Sequence, residues 1–179
     1  DQADALVELA RVELDRGALA EAGQSLRQAR QALEAPDNAA ALNEGERRKL
    51  SSEAIHVRAM VLAAIGERQL AVERADEMGV VLKLAGDPRA GQKATALKGW
   101  IAARNSDDKS ALGMLAQATR PTLRLAYALA LTRANDNGKA RAIFDELARR
   151  MVNDLEGALT RPRASAWLKQ HAQAQAQAQ

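Results

Sequence analysis

The residues of this chain best suited to metal or proton chemistry are its two histidines, His56 and His171. They lie far apart, and His171 falls in a repetitive C-terminal tail. No pair therefore sits at metal-ligand spacing, and no set of nucleophile, base and orienting group assembles around either. His56 interrupts an apolar run and reads as a partly buried structural histidine rather than a ligand or a pH switch. The turn "NDNGKA" at 135–140 hints at calcium but lacks the spaced acidic ligands and the closing Glu of a calcium loop. It reads as a turn and a helix start. There is no cysteine, so disulfides and thiolate metal sites are absent. No Gly-rich phosphate cradle follows a strand, because no segment reads as one. The expectation is a protein that is not an enzyme, with no catalytic residues, metal or cofactor.

Basic clusters stand at "ERRK" (46–49), at Arg149-Arg150 and at "TRPR" (160–163). Such clusters at helix ends are usually solvated and favour the helix dipole. The net charge of +3 is a weak field, and the only aromatic residues are Trp100, Trp167, Tyr127 and Phe144. Single-strand binders need aromatic platforms, so no nucleic-acid partner is expected. No run of 18 or more apolar residues occurs, so no direct membrane insertion is expected either.

The elements that must position these residues are helices. Ala makes up roughly a quarter of the chain, far above ordinary usage, while Gly and Pro sit mostly where apolar periodicity stops. Apolar residues recur at helical spacing from Ala3 to Asp15, and Gly17 breaks the run. A second helix over 19–35 carries the stripe Ala22, Leu26, Ala29 and Leu33, ended by Pro36-Asp37-Asn38. The nearly continuous apolar run from Ala54 to Ile65 predicts a helix covered on more than one face. Gly66 breaks it, and Ala71, Ala75, Met78 and Leu82 continue to Gly86-Asp87-Pro88. A third hairpin pairs Ala94, Leu97 and Ile101 with Ala111, Met114, Leu115 and Ala118 across "NSDD", where Ser106 or Asp107 is a credible N-cap. Pro121 suits the first turn of the next helix. The fourth hairpin, Arg124 to Arg150, folds back at Asn135. The pattern then stops near Thr160-Arg161-Pro162, and a last helix from Arg163 leads into an Ala/Gln tail that reads as solvated or frayed helix.

Overlaid, the hairpins share a small residue midway along the first helix, a break, and then Ala followed four residues later by a larger apolar residue. In the first hairpin these are Leu6, Leu9, Ala10, Gly17, Ala22, Leu26, Ala29 and Pro36; in the fourth, Tyr127, Ala128, Leu131, Ala140, Phe144 and Leu147. Ala59, Leu62, Gly66, Ala71 and Ala75 carry the pattern in the second, and Gly99, Ala102, Ala111 and Leu115 in the third. This layout resembles the tetratricopeptide repeat family. Arg58 and Lys98 depart from it, falling where the family usually has an apolar residue. The breaks lie about 49, 40 and 29 residues apart, against about 34 in the regular repeat.

The resemblance implies an all-α fold: a right-handed superhelical array of about four antiparallel helix hairpins over 1–160, with a capping helix and tail over 161–179. Trp167 would plug the open face of the last hairpin. The first helices would line a concave wall, which carries over Val7, Arg11, His56, Met60, Ala96, Trp100, Leu125 and Leu129. Arg11, His56, Met60, Trp100, Leu125 and Leu129 are the candidate partner-binding residues, with Trp100 as anchor. The competing reading packs them against neighbouring helices. Family members that hold a partner's terminal carboxylate use Lys, Asn and Arg on this wall, and that set is missing here. The implied function is a scaffold or adaptor that holds a helix or peptide of a protein partner. Its setting would be a bacterial secretion, pilus or exopolysaccharide-export assembly, with the periplasm favoured over the cytoplasm. The rival expectation is a regulatory or ligand-sensing segment of a longer enzyme or transcription regulator. A third is self-association through an uncapped end of the stack.

Overall fold

Five helices of this chain end where the backbone turns left-handed. The computed structural model describes residues 2–36, 42–150 and 154–177. Among them Gly17, Gly66, Gly86, Ser106 and Asn135 adopt φ between 59° and 91°. Glycine enters that region without a Cβ clash, and Asn tolerates it. Each of the five ends is closed by one bond type, from the N–H of the following residue to the carbonyl five residues before it. Examples are Ala18 to Glu13 at 2.8 Å, Asp107 to Ala102 at 3.0 Å and Asp136 to Leu131 at 2.9 Å. That bond satisfies a carbonyl the helix end would otherwise leave unpaired.

The described residues form only helices: α1 (Gln2–Arg16), α2 (Leu19–Glu34), α3 (Glu44–Ala64), α4 (Arg68–Leu84), α5 (Ala90–Arg104), α6 (Asp108–Leu115), α7 (Pro121–Arg133), α8 (Asn137–Arg149) and α9 (Leu155–Gln177). The expected all-α class of paired helices is what the protein has. Of the two candidate caps for α6, Asp107 does the capping and accepts from Ser110 N at 3.3 Å, while Ser106 takes the left-handed turn. Pro121 occupies the first turn of α7, as its missing N–H allows. Pro36 is described, whereas Asp37 and Asn38 lie outside the described residues.

The repeat seen in sequence is a repeat in space. Counted from the left-handed residues Gly17, Gly66, Ser106 and Asn135, the small residues Ala10, Ala59, Gly99 and Ala128 share one position, and Ala22, Ala71, Ala111 and Ala140 another. All eight are buried. Small residues on both sides let the two helices of a hairpin approach closely. Gly99 marks the tightest point, because a Cβ there would stand 2.8 Å from both Met114 Cβ and Leu115 Cγ. The departures at Arg58 and Lys98 carry no core cost. They share a position with Leu9, which is itself 46% exposed.

Each second helix packs on its own first helix and on the next one. The first helices α1, α3, α5 and α7 lie side by side in that order, α9 follows α7, and the row curls until α9 also touches α1. The long α3 begins at an Asn43 capping box: Asn43 Oδ1 accepts from Glu46 N at 2.9 Å, and Glu46 Oε2 from Asn43 N at 3.0 Å. It is covered on two faces, Val57 and Val61 joining the core of α1 and α2, and Ala59, Met60 and Ala63 that of α4 and α5.

The end of the chain differs from expectation. Instead of a stop near Thr160-Arg161-Pro162 and a new helix from Arg163, α9 runs unbroken from Leu155 with Pro162 inside it. The boundary placed between residues 160 and 161 falls within this helix. Proline in a helix interior costs about 3 kcal/mol, and packing on both sides offsets it. Glu156 and Thr160 are buried before it, Ala164 and Trp167 after it. Trp167 stacks on Phe144 of α8, centroids 4.1 Å apart and planes at 18°, and so covers the last hairpin. His171 stacks in turn on Trp167, and its Nδ1 lies 3.0 Å from the Trp167 carbonyl.

Candidate functional cleft

The row of first helices encloses a cleft of about 580 Å³. One position of the repeat supplies its wall from four helices: Arg11 of α1, Met60 of α3, Trp100 of α5 and Leu129 of α7, each six residues before a left-handed break. Leu125, one turn earlier on α7, joins them. Five of the six candidate residues thus meet in one place. His56 does not, because it is buried on the far side of α3 and lines a separate cavity of about 80 Å³ with Ser52, Glu53 and Arg120. Val7 and Ala96, which share its repeat position, are buried as well. Burial, reinforced by the charges of Arg120 and Arg11, pushes the His56 imidazole well below its ordinary pKa, so it is neutral at physiological pH.

Trp100 serves both readings given by its sequence position. It is half-buried, packing on the core of α4 and α5 and on that of α6 and α7, and its remaining surface faces the cleft. Leu129 is the most open of the apolar wall residues, 40% exposed.

Arg11 lines the cleft but is not free. Its side chain is 9% exposed, and its guanidinium donates to Glu53 of α3 and Glu156 of α9. Arg120, the cap residue of α7, bridges the same two carboxylates, with Nη1 to Glu53 Oε1 at 3.1 Å and Nε to Glu156 Oε1 at 2.9 Å. Thr122 Oγ1 adds a bond to Glu156 Oε2 at 3.2 Å. Burial alone would raise the Glu53 and Glu156 carboxyls, but the two guanidiniums outweigh it and hold both below the usual range. The carboxylates raise Arg120 in return, against the opposing effect of its burial. The one imperfection is Arg11 Nε, buried without a hydrogen bond. Glu8 Oε1 at 3.4 Å supplies charge but not hydrogen-bond geometry.

Two cations and two anions in mutual contact cancel, and carboxylates saturated with donors are not poised to exchange protons near neutral pH. The cluster is a clasp joining four elements. With Arg163 to Asp15 at 2.8 Å, it joins α1 to α9, and among the described residues no apolar cluster is shared by those two helices. Arg11 meets Glu156, and further along both helices Asp15 meets Arg163, so α9 runs parallel to α1.

The residues that sequence reasoning missed are therefore Glu53, Arg120 and Glu156, together with the arginines of the cleft mouth. Arg16, Arg104 and Arg133 stand in the last turns of α1, α5 and α7. Their shared place at the ends of first helices was a readable signal. The clasp left none, because its members come from unrelated repeat positions. Comparison with protein families, curated proteins and solved structures gives no match to this chain. Among the described residues, no helix is long and apolar enough to cross a membrane.

Proposed function

We propose that this protein is a non-enzymatic interaction module of the tetratricopeptide type, holding a helix or extended segment of a protein partner in the cleft. The supporting observation is the convergence of Met60, Trp100 and Leu129, one repeat position on three successive first helices, with Leu125 on a single apolar wall. The exposed surface of that wall comes from Trp100 and Leu129, while Met60 and Leu125, 6% and 5% exposed, belong mainly to the core behind it. A volume of 580 Å³ lies within the range of binding sites, roughly 300–1,000 Å³. It accommodates a few side chains rather than a whole helix, so the partner would insert one apolar edge. A place in a bacterial assembly, as scaffold or adaptor, fits this reading.

The test is a photo-reactive amino acid at position 129, which is open enough to tolerate it, followed by crosslinking in the source cell and mass spectrometry. We expect one dominant partner, crosslinked through a short peptide. Labelling of α7 and α5 alone would sink the proposal.

A further inference from the structure

The cleft has an electrical polarity that the apolar wall does not explain. Its lining holds five arginines, Arg11, Arg16, Arg104, Arg133 and Arg163, against only Asp15 and Glu156. Arg11 is consumed by the clasp, Arg133 is held by Asp108 through two nitrogens, and Arg163 meets Asp15. Arg16 and Arg104 are exposed and have no ion pair among the described residues. Because α1, α5 and α7 run in the same direction, their last turns gather Arg16, Arg104 and Arg133 at one mouth of the cleft, and Arg163 of α9 stands beside Asp15 at that level. A helix C-terminus carries only about half a negative charge, so it does not absorb a full guanidinium.

We infer that the partner segment is acidic at one end: apolar side chains seat on Trp100 and Leu129, over the buried Met60 and Leu125, and the carboxylates of flanking Asp or Glu residues meet Arg16 and Arg104 at the mouth. This rests on the proposed role of the cleft in peptide binding and adds the partner's chemistry and direction. Guanidiniums pair with carboxylates in bidentate fashion, and a cationic mouth above a low-dielectric wall steers anionic segments in. The clasp at the opposite end of the cleft is already neutral, so it offers no second anion site. The charge asymmetry therefore fixes which end of the segment lies where.

The test is selection of phage-displayed random dodecapeptides on the intact chain, followed by affinity measurement of the selected peptides as synthetic ligands. The expected result is enrichment of sequences with apolar residues at i and i+3 or i+4 flanked on one side by Asp or Glu. Three variants sort the outcomes: Leu129→Gln on the wall, and Arg16→Glu with Arg104→Glu at the mouth, each checked for an unchanged melting temperature. Both mouth substitutions together should weaken binding about tenfold or more, and raised salt should do the same to the unaltered protein. Peptides that lose affinity on Leu129→Gln but lack acidic residues and ignore the mouth variants would overturn this inference and leave the cleft a peptide site. Peptides indifferent to all three variants, or none selected, would overturn both. Uptake of laurate with loss on Leu129→Gln, and no peptide selected, would reassign the cleft to a small anionic amphiphile and also overturn the proposal.

Discussion

The apolar seams of the hairpin stack and the seam between α1 and α9 are built from opposite materials. Within each hairpin small residues, Gly99 among them, bring the two helices close, and Leu, Ile, Met and Phe fill the space along the stack. Where the row closes on itself, the described residues share no apolar cluster; Arg11 and Arg120 lie between Glu53 and Glu156, and Arg163 meets Asp15. Apolar burial is non-directional and adds up residue by residue. A buried ion cluster is favourable only while every member is present. The protein thus joins interchangeable units with a tolerant contact and its two ends with an exacting one.

Substitutions of similar cost should separate the two seams by where the damage appears. Phe144→Ala and Glu156→Ala should each remove about 3–5 kcal/mol of unfolding free energy in urea, the first by opening a cavity under Trp167 and the second by leaving two largely buried guanidiniums to share the single carboxylate of Glu53. Hydrogen exchange should show Glu156→Ala exposing α1 and α9 first, and Phe144→Ala exposing α8 and the following part of α9. Identical exchange patterns would dissolve the distinction. A smaller effect is expected from Gly99→Ala, about 1–3 kcal/mol, since the added methyl meets Met114 Cβ and Leu115 Cγ at 2.8 Å. A neutral result would mean that α5 and α6 can separate, and the hairpin seam would be more tolerant still.

The least effect at neutral pH belongs to titration. His56 is held neutral in the fold, below its ordinary value of 6.5, so the folded state resists a proton that the unfolded chain accepts. Its contribution to stability is complete above about pH 6.5 and is lost progressively as pH falls from there to the folded value. Glu53 and Glu156, held below 4.5, contribute above that pH and lose their share as acid protonates them in the fold. Chemical denaturation across pH should therefore show stability declining in two stages on acidification. A flat profile from neutrality down to about pH 4.5 would contradict the buried neutral His56.

Much of the first seam was legible in the sequence. Ala10, Ala22, Ala128 and Ala140 announced the hairpins because one small side chain at a fixed distance from a turn has few other reasons to recur. Met60, Trp100 and Leu129 followed from the same register. The clasp was not legible, since Glu53 and Glu156 sit in helices where a carboxylate ordinarily faces water, and only the curl of the row turns them inward. Pro162 misled for a related reason. Its local cost is real, but the burial of Thr160, Ala164 and Trp167 around it is a tertiary fact.

The parallel course of α1 and α9 has a mechanical consequence. A pull on the N-terminal end of α1 and the C-terminal end of α9 slides the two helices past one another rather than peeling them apart. Arg11 on Glu156 and Asp15 on Arg163 then carry tension together instead of breaking in turn. Short-range polar contacts loaded this way yield abruptly, so the hoop would stay stiff up to a threshold and then open at this one place, with its alanine seams still closed.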